Sequence, residues 1–128
     1  MASKVEVDEL AGAGSAGVMT VVGEGGSTTT SLQQGLAKMW IQFNGESTIS
    51  TQDSFNRGGL TDDGTGLYTV TFTNNMSNDD FAAPTGFNAV GAQFYAASTS
   101  SVQLRSTNSG GSAVDVTIVS AAVFGDLA

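Results

Sequence analysis

Several groupings of residues in this chain have the types needed for chemistry. Asp62-Asp63-Gly64 and Asn78-Asp79-Asp80 bring side-chain oxygens together, the donors that a hard cation such as calcium takes. A calcium loop of the helix–loop–helix kind also needs alternating ligands that close on a bidentate Glu, and neither stretch has that spacing. Asp, Asn and Gly equally reverse a chain, through side-chain-to-backbone hydrogen bonds and positive φ, so both clusters read as turns, with an incidental surface cation left open. Gly12-Ala13-Gly14-Ser15-Ala16-Gly17 fits G-x-G-x-x-G after a strand-like run, the spacing of a dinucleotide-binding turn. Such a turn must lead into a helix whose amides meet the pyrophosphate, whereas Val18-Met19-Thr20-Val21-Val22 is β-prone and runs into more glycine. A flexible arm is the plainer reading. Twelve Asp and Glu leave room for a glycosidase pair, two carboxyls about 5–10 Å apart across a cleft. Nearly all of them fall in turns or at polar strand positions, where carboxylates are solvated. Trp40, Tyr68, Phe87 and Tyr95 could stack on sugar rings, although core or subunit packing is the commoner use of aromatics in small β-domains.

Composition narrows the chemistry further. The chain has no Cys and no His, which excludes disulfides, thiolate and triad nucleophiles, and the usual neutral-pH base. No cofactor and no metal is expected. The net charge is −8 and the four cations, Lys4, Lys38, Arg57 and Arg105, are scattered, so a phosphate backbone finds no basic patch and nucleic acid is not an expected partner. Only 12% of the 128 residues are charged, against about 25% in typical soluble domains. The surface must therefore be covered by Ser, Thr, Asn and Gly or buried against other chains. Met1 is followed by no secretory pattern, and the longest apolar run, near Ile118 to Phe124, is far too short to span a bilayer. A soluble product made in a cytoplasm, without membrane insertion, is the expectation.

The elements that would position these residues are strands. Met39, Ile41 and Phe43 alternate with Trp40 and Gln42, and Asn44-Gly45 is a strong hairpin signal, with Ser47 to Gln52 as the return strand. Ser54 to Gly66 reads as a turn-rich loop, and Leu67 to Thr73 as a strand in which Tyr68, Val70 and Phe72 alternate with threonines. Phe81 to Asn88 holds the only proline, Pro84, and fits an irregular crossing or edge segment. Strands are expected at Ala89 to Ala96 and Ser101 to Thr107, and a long last strand carries Val114, Val116, Ile118, Ser120, Ala122 and Phe124 on one face. About seven strands at this spacing predict an all-β domain, an antiparallel sandwich or jelly roll, over residues 36–128. Residues 1–35 differ. Val5, Val7 and Leu10 alternate with charged residues, and glycine then dominates. Such an arm cannot bury enough to offset its own ordering and is expected to dock on a neighbouring subunit or partner. Ser31 to Trp40, with Leu32, Leu36 and Met39 or Trp40 at helical spacing and Thr30 or Ser31 as N-cap, predicts a neck of one or two helical turns.

The series KMWIQFNG, STISTQDSFN, LTDDGTGLYTVTFTNNMSNDDFAAP and VQLRSTNSGGSAVDVTIVSAAVFGD closely resembles a β-domain that recurs in bacteriophage fibre-like virion proteins, over about residues 32–128. Asp53-Ser54-Phe55-Asn56, the run from Leu60 to Thr73, and Ala122-Val123-Phe124-Gly125-Asp126 are its most specific parts, and the opening MASKVEVDEL also resembles the starts of such proteins. The resemblance implies a non-enzymatic virion protein, most often trimeric, serving as a fibre, knob or decoration on head, neck or tail. With about 35 residues before the domain, a compact knob is favoured over a long shaft. Other copies of the chain and other virion proteins would be its partners. A three-fold arrangement would set Leu32, Leu36 and Trp40 around the axis, and Val5, Val7, Leu10, Val18 and Val21 would anchor the arm on the particle. The alternative is a receptor-binding fibre tip that recognises host-surface glycan through exposed aromatics and Asn/Asp-rich loops.

Overall fold

In the computed structural model the described residues are 4–11, 14, 19–88 and 91–128. The glycine-spacing motif lies mostly outside them, as do Val18, Ala89 and Val90. The chain divides into two compact units, Met1–Leu36 and Ala37–Ala128.

In the first unit, β1 (Thr20–Val22) and β2 (Thr29–Ser31) form an antiparallel pair, Thr20 opposite Ser31. The Gly-rich link between them closes with Gly23 N–H donating to Thr28 O at 2.8 Å. A single helical turn, α1 (Leu32–Gly35), follows, and Ser31 caps it by accepting from Gln34 N at 3.4 Å. The helical spacing that runs on to Met39 and Trp40 is not used: Leu36 is extended, and Met39 and Trp40 enter a strand. Four residues are too few for helical propensity to compete with sheet pairing. Val5 and Val7, despite their alternation, belong to no strand.

The described residues of the second unit form eight strands: β3 (Met39–Asn44), β4 (Ser50–Phe55), β5 (Arg57–Gly64), β6 (Leu67–Phe72), β7 (Thr85–Phe87), β8 (Gly91–Ser98), β9 (Ser101–Thr107) and β10 (Val119–Val123). They form two antiparallel four-stranded sheets in the orders β4-β3-β10-β7 and β5-β6-β9-β8. The unit is all-β and sandwich-like. Alternation along β3 buries Met39, Ile41 and Phe43, and β10 adds Val119, Ala121 and Val123 from the same sheet. Tyr68, Val70 and Phe72 on β6 and Val102 and Leu104 on β9 face them, making one core between the sheets. Residues 124–128 lace against the loop after β6 through Met76 opposite Leu127 and Ala82 opposite Phe124.

Three expectations are corrected. The Asn44-Gly45 hairpin forms, but its loop runs over residues 45–49 and its left-handed residue is Ser47, φ 58°. Gly45 serves close approach instead: a Cβ there would stand 2.5 Å from the Tyr68 hydroxyl. The stretch Ser54 to Gly66 is largely strand rather than loop. Asn56, at φ 56°, turns the chain out of β4 in the first sheet and into β5 in the second. Pairing of β5 with β6 overrides the poor β-propensity of its Gly and Asp. The last strand is shorter than expected and out of phase. Val116 and Val119 are both buried while Ile118 is exposed, because residues 113–118 cross from β9 toward β3, with Val114 N–H donating to Ser106 O and Gly45 N–H to Val116 O.

Tyr68 ties this crossing to the core. Its ring meets Phe43 edge-on at 5.1 Å, and its hydroxyl lies 2.9 Å from Gly45 O and 3.1 Å from Asp115 Oδ1, two acceptors for one proton. Burial first, and the Asp115 charge second, push its pKa up to about 12. The unfolded chain, with an ordinary pKa near 10, loses that proton first, so stability present below pH 10 falls as pH rises toward 12, by about 3 kcal/mol for this group. Denaturant unfolding followed from pH 8 to 12 should show the decline. Tyr68→Phe should start about 1–3 kcal/mol less stable at pH 8 and lose this part of the slope.

Candidate functional site

The outer face of the first sheet is where surface chemistry concentrates. Directly opposed residues of antiparallel strands project side chains to the same face. The register sets Asp53 beside Gln42, Gln42 beside Ser120, and Ser120 beside Gly86, a polar row across four strands. The next outward row sets Phe55 beside Trp40 and Trp40 beside Ala122, and Ala122 N–H donates to Pro84 O at 3.1 Å, which makes this row apolar. With strands about 4.8 Å apart, each row runs ~14 Å. Small side chains at Ser120, Ala122 and Gly86 leave a hollow between Trp40 and Pro84. The resulting groove has a volume of about 490 Å³.

Its polar groups are open. Asp53 Oδ1 accepts the amide of Ser54 at 2.8 Å, which leaves Oδ2 facing out. Ser120 Oγ donates to Gly86 O at 3.0 Å and keeps its lone pairs. Among the described residues neither the Gln42 carboxamide nor the Trp40 indole N–H has a hydrogen-bond partner. Trp40 is 38% exposed. Among the described residues no cation lines the groove.

A second depression of about 310 Å³ contains Glu46, Asn88, Asn108, Asp115 and Thr117. Most of its polar groups are committed to holding loops. Asp115 Oδ1 accepts from Gly66 N at 2.6 Å and from Tyr68, Asn88 bonds Thr117 Oγ1 and Ile118 N, and Asn108 Oδ1 accepts from Gly110 and Ser112. The Asp-rich clusters behave alike. Asp62 Oδ1 takes Gly64 N at 3.0 Å, Asn78 Oδ1 takes Asp80 N at 3.0 Å, and Asp63 bonds Thr69 and Gln103 across strands. Among the described residues no three of His, Cys, Asp and Glu gather as a metal site. No helix among them is long and apolar enough to cross a membrane.

The aromatics separate by role. Tyr68 is core and Phe87 packs against the core. Tyr95 bulges out of β8, where the Arg105 guanidinium stands 5.8 Å from its ring centre. Of the four aromatics named for sugar stacking, all among the described residues, Trp40 borders the groove. Of the residues assigned to a three-fold axis, Leu32 is half-buried in the first unit, Leu36 is exposed there, and Trp40 belongs to β3 of the second unit. Of the anchor residues, Val5, Val7, Leu10 and Val21 are exposed in the first unit, and Val18 lies outside the described residues. Sequence reading misses Gln42, Asp53 and Ser120 as a set; the one local signal is a tryptophan at an outward position of β3. Comparison with family models, curated proteins and solved structures gives no match.

Proposed function

We propose that this chain is a non-enzymatic structural component of a bacteriophage particle, a homotrimeric, jelly-roll-like knob or decoration held on the virion by residues 1–35. Made in the host cytoplasm, it would contact its own copies and other virion proteins of head, neck or tail. The sequence resemblance supplies the phage assignment. The observation that carries the assembly role is the state of the first unit: Val5, Val7, Leu10, Val21, Val22 and Leu36 are each more than half exposed. Burying such a side chain contributes about 1.5–3 kcal/mol. Six of them against a partner surface can outweigh an association cost of about 4–15 kcal/mol. A low-charge surface with Leu32 and Leu36 toward a three-fold axis suits packing of identical subunits, and Trp40, which belongs to the second unit, is left out of that contact.

Sedimentation of the full chain should give a trimer. Deleting residues 1–30 should leave the cooperative melt of the second unit intact while abolishing binding to particles that lack the native protein. A stable monomer would refute the trimer, and particle binding by the truncated chain would refute the anchor.

A further inference from the structure

We infer that the groove across the outer face of the first sheet is a binding site for a neutral oligosaccharide, with sugar-ring faces against Trp40 and hydroxyls on Asp53, Gln42 and Ser120. This goes beyond the assembly role and does not depend on it. The groove's volume, about 490 Å³, lies in the range of small-molecule sites. Its floor is a paired sheet, so the backbone donors and acceptors of β3 and β10 are already engaged by their neighbours. An extended peptide binds through backbone bonds at a sheet edge, and the edges, β4 and β7, lie at the groove's margins rather than along its floor. What remains is offered by side chains, and it is weighted toward acceptors: the free Asp53 oxygen, the Ser120 lone pairs and the Gln42 carbonyl, with the Gln42 amide and Trp40 indole as donors. A fitting ligand brings several O–H donors along one side.

The adjacent row asks for something else. Phe55, Trp40, Ala122 and Pro84 offer an apolar track parallel to the polar one. A ligand with C–H faces beside rows of hydroxyls matches both tracks, and a pyranose has that build. The ~14 Å length of the rows admits a short chain of rings rather than one. Charge narrows the class further. Among the described residues that line the groove, Asp53 carries an acidic side chain and none carries a basic one, and the chain carries −8, so acidic sugars and phosphates are disfavoured.

Trp40 is the only tryptophan of the chain, so indole fluorescence reports on the groove alone. The full-length protein is titrated with maltotriose, cellotriose, mannotriose, galactotriose and tri-N-acetylchitotriose, and with tetraethylammonium chloride as a cationic probe. At least one trisaccharide should give a saturable change, with no response to the cation. Asp53→Asn should weaken that binding about tenfold or more through loss of a charged acceptor. Calorimetry should show no binding by Trp40→Ala with its melting temperature kept, and unchanged binding by Tyr95→Ala. The assignment is overturned if no trisaccharide binds, if only tetraethylammonium does, if Asp53→Asn binds like the parent, or if Trp40→Ala changes the mass of the assembly, which would make Trp40 a subunit contact.

Discussion

Gly66→Val should leave the second unit unfolded at room temperature. Gly66 sits at φ +64°, where an L-residue is strained by about 1–2 kcal/mol and a β-branched one by more. Space is the larger obstacle. A Cβ at this position would lie 2.6 Å from Ser106 O, 2.7 Å from Val114 N and 2.8 Å from Val114 O. All three are backbone atoms, so no side chain can swing aside. The neighbouring chain must move, and with it go Ser106 N–H to Gly66 O at 2.8 Å and Gly66 N–H to Asp115 at 2.6 Å. A loss above about 4–5 kcal/mol is comparable with the whole stability of a small domain, about 5–15 kcal/mol. Circular dichroism and a thermal melt measure it. Gly64→Ala is the control: φ is +133° there, but nothing lies within 4 Å of the added Cβ, so only backbone strain of about 1–3 kcal/mol is felt. A Gly66→Val protein melting within a few degrees of the parent would contradict the close approach.

Asn56→Ala should lower stability by about 3–5 kcal/mol, roughly 15–30 °C in melting temperature for a unit of this size. The side chain is a three-way tie at the corner between sheets. Its Nδ2 donates to Lys38 O at 2.9 Å and to Asn74 O at 3.0 Å, while Oδ1 accepts from Asn74 N at 2.7 Å. Its own carbonyl accepts from Thr73 N at 3.1 Å, so the start of β3, the end of β6 and the β4–β5 corner meet at one residue. Asn also tolerates the left-handed backbone better than Ala. Two further variants divide the effect. Asn56→Asp keeps the acceptor and loses both donated bonds, so it should fall between parent and Ala. Asn56→Gly relieves the backbone alone and should recover only about 1 kcal/mol relative to Ala. If Asn56→Gly melted with the parent, the side-chain bonds would contribute nothing and the tie would be refuted.

The legible part of the fold lies where one physical pattern acts alone. In β3, β6 and β9 strict alternation separates a core face from an outer face, and Met39, Tyr68 and Val102 are found inside as that pattern requires. Pro84 likewise marks the approach to an edge strand, β7. Reading fails where tertiary pairing competes with composition. Arg57–Gly64 looks like a loop because Gly and Asp dominate it, yet it pairs along β6. The last strand loses phase because its chain passes from β9 to the end of β3 between Val114 and Val116, a step that leaves no mark in hydropathy. The groove was hidden for a different reason: Asp53, Gln42, Ser120 and Gly86 are distant in sequence and become a row only through the order β4-β3-β10-β7. Trp40 alone hinted at it.

Lys38 is 5% exposed at the mouth of β3, and its burial lowers its pKa despite the opposing charge of Asp126. The chain's other lysine, Lys4, lies open in the first unit, where it pairs with exposed Glu6. The two side-chain amines are therefore unequal reagents. Of the two, Lys4 is the one acylated under native conditions, which places a dye or a surface tether on the first unit and spares the sheets. Lys38 is shielded, so its acylation keeps time with the opening of β3.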